Sequence, residues 1–281
     1  MVTKRAAANN AAANNTPNNS AAANNPANKS AAANNPATNN ASTNNASTNN
    51  PATKRAANSA AAHNASTGAT RVYLEIGKKK VFAAAIDWPG WCRSGRDEQS
   101  ALDALATYLE RYAPVVKRTK LALPTDTFTV VERIAGSTST DFGVPEKVAT
   151  ADLEPVSAAE GKRIGALVKA AWAEFATIVA QTPEELTKGP RGGGRDRDKM
   201  TDHVLGAEAS YGRKLGVKHK PPALTDNEAI AAMRADLVAA LSRPWSGGEH
   251  ATGMWPPRYM ARRTAWHVLD HAWEMQDRTP R

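Results

Sequence analysis

Trp266-His267-Val268-Leu269-Asp270-His271-Ala272-Trp273-Glu274 is the stretch on which the reading of this chain turns. Its apolar residues Trp266, Leu269 and Trp273 recur at the three-to-four-residue interval of one helix face. The same period sets His267 and His271 one turn apart, with Cβ atoms about 5–6 Å from each other, close enough for two imidazoles to reach one ion. Because His267 adjoins Trp266 and His271 lies between Leu269 and Trp273, the pair borders the apolar stripe and should be partly buried.

Three further amphipathic segments precede this one. The first, after Ser157, carries Ile164, Leu167, Val168, Ala171, Trp172, Phe175 and Ile178 on one side; the second carries Met200, Val204, Ala207, Tyr211 and Leu215; the third carries Ile230, Met233, Leu237 and Leu241. Gly- and Pro-rich connections separate them, at Gly189-Pro190 with Gly192 to Gly194, at Lys220-Pro221-Pro222, and from Gly247 to Pro257. Such stripes are too apolar to stay wet, so residues 157–281 are expected to pack as an antiparallel four-helix bundle.

His203 falls on the second segment, three residues after Met200 and four before Ala207, and is a third imidazole aimed inward. Alone, each of these histidines reads as a hydrogen-bonded core residue. Together, His203, His267 and His271 form the expected site for a divalent metal, most simply zinc, with a fourth position left for water or substrate. An ion so held lowers the pKa of a bound water or thiol and polarises a carbonyl, supplying a nucleophile at neutral pH. Asp270 and Glu274 read as solvated ends of a polar stripe, the rival reading being that they orient imidazoles or move protons. His250 reads as a loop histidine, with capping of the site as a fourth ligand the rival. His219 and His63 carry no hypothesis.

Gly192-Gly193-Gly194 between Arg191 and Arg195 is similar to a phosphate cradle, but it follows a helix and lacks the Gly-Lys-Ser/Thr ending. It reads as a flexible connection, its arginines placed to assist an anionic substrate at the bundle mouth. Asp196 or Asp198 is expected to cap the second helix.

Ahead of the bundle, Val72, Leu74 and Ile76 alternate with Tyr73 and Glu75, the period of a half-buried strand. A turn at Gly77 to Lys80, a strand over Val81 to Ile86, a turn at Asp87-Trp88-Pro89-Gly90 and a short strand through Trp91-Cys92-Arg93 complete a meander. Asp97 is expected to cap a helix running to about Tyr112, with Pro114 just beyond its end. Phe128 to Ile134 reads as a last strand. The division expected is therefore 1–70 as a tail, 71–135 as a small sheet-and-helix domain, 136–156 as a linker, and 157–281 as the bundle; the fold class is α+β.

Residues 1–70 are almost all Ala, Asn, Ser, Thr and Pro and repeat Ala-Ala-Ala-Asn-Asn at 6–10, 11–15, 21–25 and 31–35. With no carboxylate, no aromatic residue and only Val2 as a branched aliphatic, this tail is expected to be disordered. Of the formal net charge of +9, five cations lie in the tail, which leaves +4 for everything after Thr70. Widely spaced tail cations offer nucleic acid only weak, salt-sensitive, sequence-blind attraction, and an inert linker is the preferred reading. Cys92 is the single cysteine, so no internal disulfide forms and a reducing, cytoplasmic setting is expected. No run reaches the roughly 18 apolar residues of a membrane span. Three Asn-Ala-Ser sequences, starting at Asn40, Asn45 and Asn64, read as accidents of composition.

The last module resembles the DinB-like superfamily, metal-binding four-helix bundles that include thiol-dependent S-transferases and mycothiol-dependent maleylpyruvate isomerases. The resemblance covers roughly Ser157 to Arg278. It rests on His203-Val204-Leu205-Gly206-Ala207-Glu208 and on Trp266 to Glu274, and it implies His203, His267 and His271 as metal ligands. The approach to His203 departs from the family, which commonly has Trp-Ser or Trp-Thr where this chain has Arg197-Asp198-Lys199-Met200-Thr201. The first module resembles the HicB-like fold, a domain of antitoxins, through Asp87-Trp88-Pro89-Gly90-Trp91-Cys92, Ser94-Gly95 and Asp97 to Leu102. These resemblances imply a divalent-metal-dependent transferase or isomerase that activates water or a low-molecular-weight thiol toward a small-molecule substrate. The alternative is a non-catalytic protein whose HicB-like domain binds a protein partner while the bundle serves as a structural or metal-sensing platform. A homodimer fits either reading.

Overall fold

The fold is given by a computed structural model that describes residues 68–189, 193–249 and 251–280, all within one compact unit, Asn49–Arg281. The tail before Gly68 with its Asn-Ala-Ser sequences and His63, and the candidate residues Arg191, Gly192 and His250, lie outside the described residues.

Strands β1 (Thr70–Ile76), β2 (Val81–Ala85) and β3 (Cys92–Gly95) form the expected antiparallel meander, with Val72 opposite Ala85 and Ala83 opposite Arg93. Strand β4 (Phe128–Ala135) does not continue it. It pairs parallel to β1, giving the order β3-β2-β1-β4 with a register shift between Val72 and Tyr73. A parallel neighbour requires a crossover, supplied here by α1 (Glu98–Thr107) and α2 (Leu109–Lys117).

Asp97 caps α1 as its position suggests. Its carboxylate accepts from the Ser100 amide at 2.8 Å, and its own amide donates to the Ser100 hydroxyl at 3.1 Å. The helix does not stop near Tyr112, however. It breaks at Tyr108 and resumes to Lys117, so that Pro114 lies inside α2. Proline in a helix interior costs about 3 kcal/mol. Val115 and Val116, both fully buried, offset that loss, since burying each side chain contributes about 1.5–3 kcal/mol.

Segment 136–156 is ordered by the sheet. It contains α3 (Thr138–Phe142) and a 3-10 turn (Thr150–Leu153), and its Ala149 and Ala151 pack with Tyr73, Phe82, Ala84 and Ile86. The buried Glu75 carboxylate accepts from Thr140 Oγ1 at 2.6 Å and from the Glu146 and Lys147 amides at 3.1 and 3.0 Å. Backbone donors along this segment are thereby satisfied without a strand partner.

Four helices follow: α4 (Ala158–Gln181), α5 (Arg197–Arg213), α6 (Asn227–Leu241) and α7 (Pro257–Arg278). Helix α4 packs on α7 and α6, and α5 packs on α7. Gly161 lets α4 and α6 meet almost backbone to backbone, because a Cβ there would lie 2.9 Å from the Ser242 main chain. One turn later Gly165 faces Val238, so α4 and α6 run antiparallel. By length and composition α4 would qualify as a membrane span, yet 56% of the qualifying window is buried inside the protein, as in a core helix.

Helix α7 is buried on more than its bundle face. Trp266 meets Phe82 of β2 edge-on, ring centroids 6.3 Å apart. Arg93 of β3 pairs with Asp270 at 2.9 Å and lies 4.0 Å over the Tyr108 ring. Gly90, at φ +96°, presses the β2–β3 turn onto α7 so closely that a Cβ would meet Leu269 Cδ1 at 2.6 Å and Ala265 Cβ at 3.1 Å. Gly90→Ala combines a left-handed backbone with overpacking, and the expected loss is about 1–3 kcal/mol. A urea midpoint equal to that of the parent chain would contradict this close approach.

Candidate metal centre

The site lies where α5 crosses α7. These helices run antiparallel, since His203 faces His267 and His271 while Tyr211, two turns later, faces Arg263. The buried face of α5 comprises Met200, Thr201, Val204, Leu205, Glu208, Ala209 and Gly212. It is turned from the expected stripe: Ala207 and Tyr211 are only half-buried, and Glu208 takes a core position because Arg234 of α6 donates to both its oxygens, at 2.9 and 3.0 Å. His203 is on the half-buried edge with Ala207 and Tyr211, directed at α7.

The structure brings together all three histidines that the sequence singles out. One nitrogen from each of His203, His267 and His271 lies within 4.8 Å of the others, an arrangement that could hold a metal ion. His203 Nε2 and His267 Nε2 are 3.2 Å apart. That is close to an edge of a tetrahedron with metal–nitrogen bonds of about 2.0–2.1 Å, whose corners stand about 3.3 Å apart. Ring centroids are separated by 5.0 Å (His203 and His267), 5.1 Å (His203 and His271) and 4.7 Å (His267 and His271), with the rings edge to face.

Burial differs among the three. His267 is 7% exposed, whereas His203 and His271 are half-buried, so the cluster is more accessible at these two rings than at His267. Desolvation, with smaller contributions from His271, His203, Arg263 and Arg195, pushes His267 down to about 2. Burial, then Arg195 and His271, lowers His203 as well. Both rings are thus neutral at pH 7 with a lone pair available, the form that binds a metal. His267 Nδ1 is buried with no hydrogen-bond partner among the described residues, so the polar contact of this ring seen here runs through Nε2 toward the other histidines.

Glu274 is hydrogen-bonded to an imidazole, with its side chain 37% exposed. Its Oε2 lies 3.0 Å from His271 Nδ1, and this hydrogen bond, assisted by Arg278, holds the carboxyl below its ordinary range. A carboxylate there favours the proton on Nδ1 and leaves the Nε2 lone pair of His271 toward the cluster. Asp270 is engaged with Arg93. Asp196 occupies the N-cap position of α5, but its carboxylate accepts from the Leu186 amide at 3.1 Å and from Lys188, and makes no cap bond. His219 bonds Asp236 at 2.8 Å, remote from the triad in sequence and contacts. Cys92 is buried, and desolvation pushes its thiol up to about 12, which makes it an inert packing residue.

Two features escape the sequence pattern. Arg263, one turn before His267 on α7, stacks 4.7 Å over Trp266 and 5.4 Å from the Tyr211 ring centre, and it makes no ion pair among the described residues. Arg278 binds Glu274 at 2.7 Å. The signal for the second was present: Glu274 and Arg278 follow His271 at the three- and four-residue steps of one helix edge. No protein-family model, no curated protein and no solved structure matches the chain.

Proposed function

We propose that this chain is a divalent-metal-dependent enzyme of the transferase or isomerase kind, built on a DinB-like bundle, with His203, His267 and His271 as ligands and zinc as the simplest occupant. The observation that carries the reading is the approach of three imidazoles from two helices, with His203 and His267 Nε2 3.2 Å apart. Three protein ligands suit a catalytic site better than a closed structural one, because a fourth position stays open. When bound, the ion lowers the pKa of a water or thiol at that position. His203 and His271, being half-buried, leave that position reachable from solvent, and Arg195 and Arg263 add positive potential around it.

The preferred nucleophile is a low-molecular-weight thiol, and the preferred partner a small electrophile. In this reading the sheet module is a HicB-like domain with an accessory role. Zinc-loaded protein is expected to accelerate conjugation of a small thiol such as cysteine or glutathione to an aryl chloride, and chelation is expected to abolish the rate. Protein that retains zinc yet shows no chelator-sensitive turnover across a panel of thiols and electrophiles would remove the enzymatic reading and leave a metal-holding scaffold.

A further inference from the structure

We propose that Glu274 and Arg278 are positioning residues of the histidine cluster, and that Arg278 locks the polypeptide leading into α5 to the end of α7. The inference rests on the metal-binding reading above. Four contacts carry it. Glu274 divides its carboxylate, Oε2 to His271 Nδ1 at 3.0 Å and Oε1 to Arg278 at 2.7 Å. The Arg278 Nε donates to the Thr187 carbonyl at 2.9 Å, and the Thr187 amide donates to the Arg278 carbonyl at 2.8 Å. Thr187 precedes α5, the helix that bears His203.

One guanidinium therefore serves both halves of the cluster. Through Glu274 it sets the orientation and tautomer of His271 on α7; through Thr187 it ties down the chain entering the helix of His203. Gly194, at φ +118°, makes room for it, since a Cβ there would lie 2.6 Å from an Arg278 nitrogen and 2.7 Å from its central carbon. The Arg278 side chain is only 14% exposed, as expected of a fixed strut and not of a surface charge. Carboxylate–histidine pairs of this kind typically change metal affinity by about 10–100-fold when broken.

The test is competition titration of zinc with a chromophoric chelator, together with the visible spectrum of the cobalt(II)-loaded full chain. Glu274→Ala and Arg278→Ala are expected to bind zinc about 10–100-fold more weakly than the parent, with altered cobalt bands that report a changed ligand field. Glu274→Gln keeps one oxygen for the His271 Nδ1–H but offers Arg278 no carboxylate, and it should fall between parent and Glu274→Ala. This isosteric variant also carries the test if an alanine variant fails to fold. Parent-like zinc affinity and cobalt bands in Glu274→Gln and in the folded alanine variants would overturn the positioning role while leaving the metal reading intact. A parent chain that binds neither zinc nor cobalt would overturn both.

Discussion

Zinc content is expected to fall from roughly one ion per chain to background in His267→Ala, and equally in the His267→Ala/His271→Ala double variant, when protein is dialysed against trace chelator. His267 is the most buried of the three imidazoles and holds the 3.2 Å contact with His203, so its loss removes the inner corner of the site. The effect should exceed the about 10–100-fold cost of losing an outer partner, because a coordinating nitrogen disappears altogether. Folding of the metal-free chain should survive, since the Leu269, Ala265 and Trp273 packing around position 267 is untouched. Unchanged zinc in the double variant would dispose of the site.

The same residue sets a pH dependence of known sign. Folded His267 stays neutral down to about 2, whereas the unfolded chain takes up a proton near its ordinary value of about 6.5. Between these limits the unfolded state binds more protons, so the contribution of His267 to stability is full above about 6.5 and declines as pH falls below it. Urea midpoints measured on metal-free protein at pH 7.5 and pH 5 should therefore differ more for the parent than for His267→Ala. Equal differences would show that His267 is not held neutral by burial.

Asp152→Ala is the second large effect, expected to cost about 3–5 kcal/mol and to lower Tm by about 10 °C. Asp152 is fully buried, and Arg262, 7% exposed, donates to it from Nε at 2.9 Å and again from its terminal nitrogen, while also donating to Tyr73 Oη at 2.7 Å. Burial works to discharge Arg262, but the charge and hydrogen bonds of Asp152 and Tyr73 outweigh it and raise its pKa well above the ordinary value. Removing the carboxylate strands a cation in the seam between sheet, connecting segment and α7, and frees the Ala149 amide that Asp152 also accepts at 2.8 Å. By contrast, breaking the exposed Arg133–Glu98 pair should leave the midpoint unchanged, because solvent screens both partners. An Asp152→Ala midpoint as high as that of Arg133→Ala would refute the buried-pair account.

Local periodicity made much of this protein legible. The position of β1, the Asp97 cap and the existence of the four bundle helices each depend on residues within a few positions of one another, so composition and spacing suffice to place them, whereas the half-buried alternation expected of β1 fails because Tyr73 and Glu75 are buried on its other face as well. The pairing of His267 with His271 is legible for the same reason: one helix turn fixes it. What tertiary structure alone decided was every relation between distant segments. The parallel return of β4 beside β1, the burial of Asp152 against Arg262, the clasp of Gly90 on α7 and the turning of α5 around Glu208 all join residues more than twenty positions apart. Such contacts form according to which surfaces best exclude water and satisfy buried charge together, a condition that no single stretch of chain contains. Hence the three histidines could be named from helical spacing within two segments, while their distances from one another, and the Arg278 contacts to Glu274 and Thr187, awaited the fold.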